Sequence, residues 1–298
     1  MRAGTKRAIG RPSFSMNQAA LMQPHPSQSP EEIALSRAEQ SELHATQGDV
    51  RGDDGDFSGA LQDYRKAAQL DPTSPQRLLK LAEGYAANDL HHKAFALYQR
   101  ALEANVEQDA EEDMTDAYVG MGDLCRTFAR SAAAVRSYER AVRSKPKQPF
   151  LRWKLAVSLA TMGLYDRAEA QLQIILEQAP SDSFYHFQLA DLYRLMNRNL
   201  DSVQYMAHAV EFAPRDDYYR LRLGAALLRA DMSEEAVEQF EAAARLKPTN
   251  ASYQTLLLFA HMRNNQQPQI AVDVDKIELG AYDEDFVNRI QRLAAPSA

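Results

Sequence analysis

Four prolines recur at a constant interval of 34 residues in the second half of the chain. They are Pro146, Pro180, Pro214 and Pro248. Before each proline the chain repeats one frame, in which a short apolar group is followed by a small residue and, four positions later, a large one. The frame is clearest in "LGAAL" (223–227), which leads to Ala236 and Phe240. A fixed period of this length predicts stacked structural repeats and constrains the fold more than any other feature.

Small residues and a closing proline recur in each period, and both have a physical reason if the period folds as two helices joined by a turn. Small residues stand where the two helices would approach closely, and each proline would end a second helix because it lacks an amide donor. The small residues are Gly122, Ala156, Ala190 and Gly224. Polar residues after the prolines can cap the next helix, and the candidates are Ser181, Asp216 and Asn250.

This frame resembles the tetratricopeptide repeat, a helix–turn–helix unit of about 34 residues. The match extends upstream through "LAEGY" (81–85) and "GDFSGALQDYRKAAQLDP" (55–72), so that it covers about 220 residues. The resemblance implies an all-α, right-handed superhelical solenoid of about six repeats with C-terminal capping helices. The implied repeats lie near 41–74, 75–108, 115–148, 149–182, 183–216 and 217–250, followed by a capping helix over 251–263.

The ends of the chain and two places inside it depart from the repeat. Residues 1–30 carry four basic residues and no acid, and we expect a disordered basic tail there. All four basic residues are absent if translation starts at Met16 instead of Met1. The solenoid is expected over 31–263, followed by a linker and a capping helix within 264–298. Six extra residues before 115 predict a longer helix, and "GDVRGDDG" (48–55) predicts a loop that ends the first helix early.

A second apolar stripe runs along the first helices of the later repeats. In "PFLRWKLAVSLATMG" (149–163), Leu155 and Leu159 fall on one side, and Phe150, Trp153 and Val157 fall on nearly the opposite side. The same positions recur one and two periods later, at Phe184, Phe187 and Asp191 and at Tyr218, Leu221 and Ala225. First helices of stacked repeats line a concave surface, so the stripe predicts a binding groove. Alternatively the stripe is core, covered by the segment after 264 or by Phe14, Met16, Leu21 and Met22.

Charge is divided along this predicted groove. The C-terminal half carries Arg194, Arg229 and Arg263 against Asp191, whereas the N-terminal half carries Glu83, Asp116 and Asp123 against Arg126. The predicted partner-binding residues are Phe150, Trp153, Val157, Phe184, Phe187, Asp191, Arg194, Tyr218, Leu221 and Arg229. The net charge is −7, and the +4 of residues 1–30 leaves −11 for the rest, which argues against nucleic-acid binding.

The sequence predicts a binding protein without catalytic activity, cofactor or metal. It has no glycine-rich phosphate loop, paired metal-binding histidines or nucleophile elbow. The longest apolar run, "TLLLFA" (255–260), is too short to cross a membrane, so a cytoplasmic location is expected. We predict an adaptor or assembly factor that binds a protein or peptide in its groove and that can be a component of a multi-protein complex. The alternative is a structural subunit whose groove is permanently occupied by a partner chain or its own tail.

Overall fold

A computed structural model describes residues 36–107, 113–250, 253, 255–257, 260 and 261. All regular structure in these residues is helical. The helices are α1 (Arg37–Asp53), α2 (Phe57–Leu70), α3 (Pro75–Ala87), α4 (His91–Glu107), α5 (Thr115–Thr127), α6 (Ser131–Ser144), α7 (Pro149–Thr161), α8 (Tyr165–Gln178), α9 (Ser183–Leu195), α10 (Asn199–Phe212), α11 (Asp217–Arg229) and α12 (Ser233–Leu246). The remaining helical residues are 253, 255–257, 260 and 261. The predicted tail (1–30) and the C-terminal linker and cap (264–298) fall outside the described residues.

The helices stack in chain order. Each of α2 to α11 packs against the helix before it and the helix after it, and the odd-numbered and even-numbered helices therefore alternate as first and second members of helix pairs. Large side chains such as Tyr138, Leu189 and Phe240 are completely buried between them. The predicted all-α solenoid of helix pairs is confirmed in the described part of the chain.

Close approach within a pair depends on a small residue in the first helix. A Cβ added to Gly122 in α5 would lie 2.6 Å from the Tyr138 ring of α6, and one added to Gly224 in α11 would lie 2.7 Å from the Phe240 ring of α12. Real side chains do not approach this closely. The large residue of the second helix therefore occupies the space that a first-helix side chain would need.

The turns between paired helices share one backbone conformation. Gly163 has φ 73°, and the corresponding residues Asp89, Ala129, Asn197 and Asp231 have φ between 55° and 62°. This left-handed conformation reverses the chain in a few residues, and glycine adopts it at the lowest cost.

Side-chain caps fix where several first helices begin. Asp216 caps α11 by accepting hydrogen bonds from two backbone amides, as the sequence predicts. Helix α9 is capped by Asp182 instead of Ser181, because the carboxylate of the residue directly before the helix reaches the amide of Phe184.

The first helix pair differs from its prediction. Helix α1 follows Ser36, which forms a capping box with Glu39, and it continues through Asp53, so most of the predicted loop over 48–55 is helical. The reason is the close approach described above, since Gly48 leaves room for the ring of Tyr64. The predicted longer helix is confirmed, because α4 has 17 residues where α6 has 14.

Candidate functional site

The odd-numbered helices share one surface, which we call the groove. Neighbouring first helices meet on it through aromatic side chains. The Trp153 ring of α7 lies 5.4 Å from that of Phe184 on α9, and the Phe187 ring of α9 lies 5.7 Å from that of Tyr218 on α11. The predicted aromatic residues of three successive repeats are therefore in contact with one another.

One aromatic residue per helix remains open to solvent on the groove. Phe150, Phe184 and Tyr218 begin the exposed stripe of α7, α9 and α11 and are 44%, 37% and 43% exposed. They stand one repeat apart in the sequence. Large apolar groups exposed at regular intervals form a surface on which a partner can bury apolar area.

A pocket of about 340 Å³ opens between α7 and α9. Its lining is mainly apolar and comprises Trp153, Ala156, Val157, Ala160, Thr161, Tyr165, Ala168, Leu172, Gln188, Asp191, Leu192 and Leu195. The Nε1 atom of Trp153 is buried and has no hydrogen-bond partner within the described residues. Trp153 also packs against the buried core, so the groove stripe and the core share this residue.

Leu221 is a correction to the predicted site. It is 7% exposed and belongs to the same core cluster as Tyr253 and Leu257. Tyr253 and Leu257 follow α12 and pack in this cluster with Leu221. Leu221 is therefore part of the core instead of the accessible groove.

Asp191 is surrounded by arginines. Its Oδ1 accepts hydrogen bonds from Arg194 at 2.8 Å and from Arg222 at 2.6 Å. Burial by itself would raise the pKa of Asp191, but the hydrogen bond and charge of Arg194 and the charges of Arg222 and Arg229 hold it below its ordinary value. The carboxylate is thus strongly favoured in its charged form.

The arginines outnumber this one acid. Burial lowers the pKa of Arg229, and the nearby guanidinium groups of Arg194 and Arg222 lower it further. Arg222 also lies over the rings of Phe187 and Tyr218, at 5.3 and 5.7 Å. The C-terminal half of the groove therefore combines aromatic faces with an excess of positive charge that a ligand acid can relieve.

Comparison with known proteins agrees with this architecture. The model of the tetratricopeptide repeat family matches residues 119–183, which run from α5 to the start of α9. The chain therefore contains tetratricopeptide repeats. No curated protein sequence matches it.

Several solved structures have the same fold, and tetratricopeptide repeat proteins are among them. A repeat protein from Parabacteroides merdae is 15% identical with a TM-score of 0.62, and the match covers 86% of this chain and 98% of that one. PilW, a type IV pilus biogenesis factor, is 19% identical with a TM-score of 0.60 and coverages of 73% and 98%. YrrB, a repeat protein with a peptide-binding site, is 20% identical with a TM-score of 0.53 and coverages of 67% and 97%.

An ion pair recurs between successive tetratricopeptide repeats, and sequence reasoning missed it. Three pairs join an acid on one first helix to a base on the next, 31 positions further along. Their nitrogen–oxygen distances are 3.0 Å for Asp49–Lys80, 2.6 Å for Asp123–Lys154 and 2.6 Å for Asp191–Arg222. The constant spacing of 31 inside a 34-residue period is the sequence signal that would have found them. We call this recurring position the bridge.

The bridge has neither acid nor base at the step from α7 to α9. The corresponding residues are Val157 and Gln188, and both line the apolar pocket between these helices. The pocket is therefore located where the repeat protein replaces an ion pair by an apolar and a neutral residue.

Other functional features are absent from the described residues. No group of three or more His, Cys, Asp or Glu side chains is placed to hold a metal ion in the part of the chain that is described. None of the helices described is long and apolar enough to cross a membrane. His92 stacks on Phe128 with ring centroids 4.9 Å apart, which gives it a packing contact at the start of α4.

Proposed function

We propose that this tetratricopeptide repeat protein is a non-catalytic adaptor or assembly factor that binds a segment of a partner protein in its groove. The observation that carries the proposal is the apolar pocket between α7 and α9. An open, mainly apolar pocket with a few polar groups at its edge is the usual form of a recognition site. The partner would insert an apolar side chain beside the ring of Trp153, which lines the pocket.

The surroundings of the pocket support an extended contact. Phe184 and Tyr218 offer exposed rings on the neighbouring helices, and the guanidinium groups near Arg229 favour an acidic group on the ligand. The net charge of −7 favours a protein ligand over a nucleic acid.

The comparisons support binding in general terms. Tetratricopeptide repeat proteins generally mediate protein–protein interaction, and among the similar structures YrrB has a peptide-binding site and Cut9 forms a hetero-tetramer with Hcn1. The position of the site between α7 and α9 rests on the pocket of this chain alone.

A peptide selection tests the proposal. The full chain is used to enrich peptides from a phage-displayed random library, and a selected peptide is titrated while the fluorescence of Trp153, the only tryptophan, is recorded. Val157→Asp places a carboxylate in the pocket. The fold should accept it, because the same repeat position holds Asp49, Asp123 and Asp191. We expect this variant to weaken peptide binding about tenfold or more.

A matched control separates the pocket from the rest of the surface. Leu200→Asp introduces the same charge at a 70% exposed position on α10. It should leave peptide affinity unchanged. The proposal fails if no peptide is enriched, or if Val157→Asp binds a selected peptide as tightly as the unmodified chain does.

A further inference from the structure

The bridge is incomplete at the step from α3 to α5. Glu83 occupies the acid position one period after Asp49, but the base position on α5 is Gly120. Lys80 lies 3.5 Å from Glu83 and 3.0 Å from Asp49, so one ammonium group serves two carboxylates. Glu83 therefore lacks the inter-repeat cation that Asp123 and Asp191 have.

Position 120 cannot supply this cation. A side chain at Gly120 would collide with the ring and hydroxyl of Tyr98, which lie against the glycine. Supplying a lysine at 120 would thus require displacing a residue that is 97% buried, since Tyr98 is only 3% exposed. The structure keeps this place free of a cation by packing a tyrosine against it.

The hydroxyl of Tyr98 is also without its usual acceptor. In the flanking repeats, Tyr64 donates to Asp49 at 2.8 Å and Tyr138 donates to Asp123 at 2.6 Å. Within the described residues Tyr98 forms no such bond with Glu83. The hydroxyl oxygen of Tyr98 can accept a hydrogen bond from a cationic group of a ligand.

Negative charge converges on this hydroxyl. Burial is the largest cause of the raised pKa of Tyr98, and the charges of Glu83, Asp123 and Asp116 raise it further. Burial also raises the pKa of Glu83, and Asp116 adds to that effect while Lys80 opposes it. The region between α3 and α5 therefore holds negative potential that Lys80 compensates only in part, beside the hydroxyl of Tyr98.

We infer that Glu83 and Tyr98 form a subsite for a lysine or arginine side chain of the partner segment that occupies the groove. The inference rests on the proposed function. The cation would complete the bridge from outside, as Lys154 and Arg222 complete it from within at the other steps. A metal ion is less suited to this place, because no group of three metal-ligating side chains is found among the described residues. Charge complementarity thus selects a basic side chain.

A double-mutant cycle on the full chain tests the subsite. Peptides selected from the random library are aligned to find a position at which they share a basic residue. One such peptide is then synthesised in two forms, with the basic residue and with norleucine at that position. We expect the replacement to weaken binding to the unmodified chain about tenfold, and to weaken binding to Glu83→Gln by twofold or less. Glu103→Gln, an exposed acid on the helix paired with α3, is the control and should behave as the unmodified chain does.

The possible failures are distinguishable. Peptides that depend on Val157 but share no basic position, or whose basic residue shows no coupling with Glu83, overturn the subsite and leave the proposed function standing. If none of the selected peptides depends on Val157, the proposed function itself is overturned. The subsite inference is also overturned if deleting residues 1–30 strengthens binding about tenfold in the unmodified chain but not in Glu83→Gln, because the occupant is then the chain's own basic segment.

Discussion

Asp191 and Glu83 occupy the same position of their repeats and have opposite electrostatic surroundings. Asp191 contacts two arginines, and their charges hold its pKa below the ordinary value. Glu83 shares a single lysine with Asp49, and burial raises its pKa. One carboxylate is thus satisfied by the fold, whereas the other is left partly unsatisfied beside a buried tyrosine.

The same repeat position therefore has a structural role at Asp191 and a proposed binding role at Glu83. A paired acid contributes to stability, and an acid without its counter-charge costs stability unless a ligand compensates it. The bridge at Asp191 is therefore completed by the chain's own contacts, whereas the bridge at Glu83 would be completed by a ligand. This contrast can be tested residue by residue.

The largest effect is expected for Asp191→Asn. The change leaves Arg194, Arg222 and Arg229 without the acid that lies between them, and we expect it to lower the free energy of unfolding by about 1–3 kcal/mol at neutral pH. Since the pKa of Asp191 is lowered by folding, its contribution is present above the unfolded pKa and is lost as the pH falls through the folded pKa. Urea unfolding of both chains at neutral and at acidic pH measures the difference, which should shrink in acid.

Lys154→Met should convert a complete bridge into an incomplete one. It removes the cation that contacts Asp123 at 2.6 Å and should cost about 1–2 kcal/mol of stability. It also leaves Asp123 without an inter-repeat cation, as Glu83 is, so a repeated library selection should yield peptides with a second basic position. Unchanged peptide sequences would contradict the idea that an incomplete bridge recruits a ligand cation.

Binding of a basic peptide should weaken at mildly acidic pH. Charged and titratable neighbours act on Glu83 from every side, namely Asp49 on α1, Tyr64 on α2, Lys80 on α3, Tyr98 on α4 and Asp116 on α5. The net result is a raised pKa, so Glu83 loses its charge at a higher pH than an ordinary glutamate. A few-fold loss of affinity over this range is expected in titrations of the unmodified chain with a selected peptide. The Glu83→Gln chain should show a flatter profile.

The smallest effect is expected for Glu83→Gln on stability. Its raised pKa means that folding disfavours the charged form, so the carboxylate costs stability above its folded pKa and costs nothing in acid. Neutralising it should stabilise the free protein at pH 7 by a few tenths of a kcal/mol, because solvent screens a side chain that is 35% exposed. Thermal melting at pH 7 and in acid measures the change, and a destabilised variant at pH 7 would show that Glu83 is already well paired.

The sequence predicted the repeats because their determinants are local and periodic. Prolines at a fixed interval, a small residue in each first helix and a large residue in each second one are visible without coordinates. Gly122 and Tyr138 show why, since the spacing that defines the repeat also brings these two residues into contact. The aromatic positions Phe150, Phe184 and Tyr218 followed from helical periodicity in the same way.

Which side chains of successive repeats contact one another depended on the tertiary structure. Leu221 has the sequence position of a groove residue, yet apolar residues beyond α12 join it in a buried cluster. Asp191 was recognised as a groove acid, whereas its partner Arg222 was not, because the distance between two side chains depends on how successive first helices are placed side by side.

The sequence by itself therefore determined the fold class, the helix pairs and the stripe of exposed aromatic residues. Only the tertiary structure decided which charges are neutralised and where the stripe opens into a pocket. The physical reason is that helix formation and pairing follow from residues within one period, while the environment of a side chain depends on atoms one whole repeat away. Glu83 illustrates the point, since its missing cation is a property of Gly120 and Tyr98 on other helices.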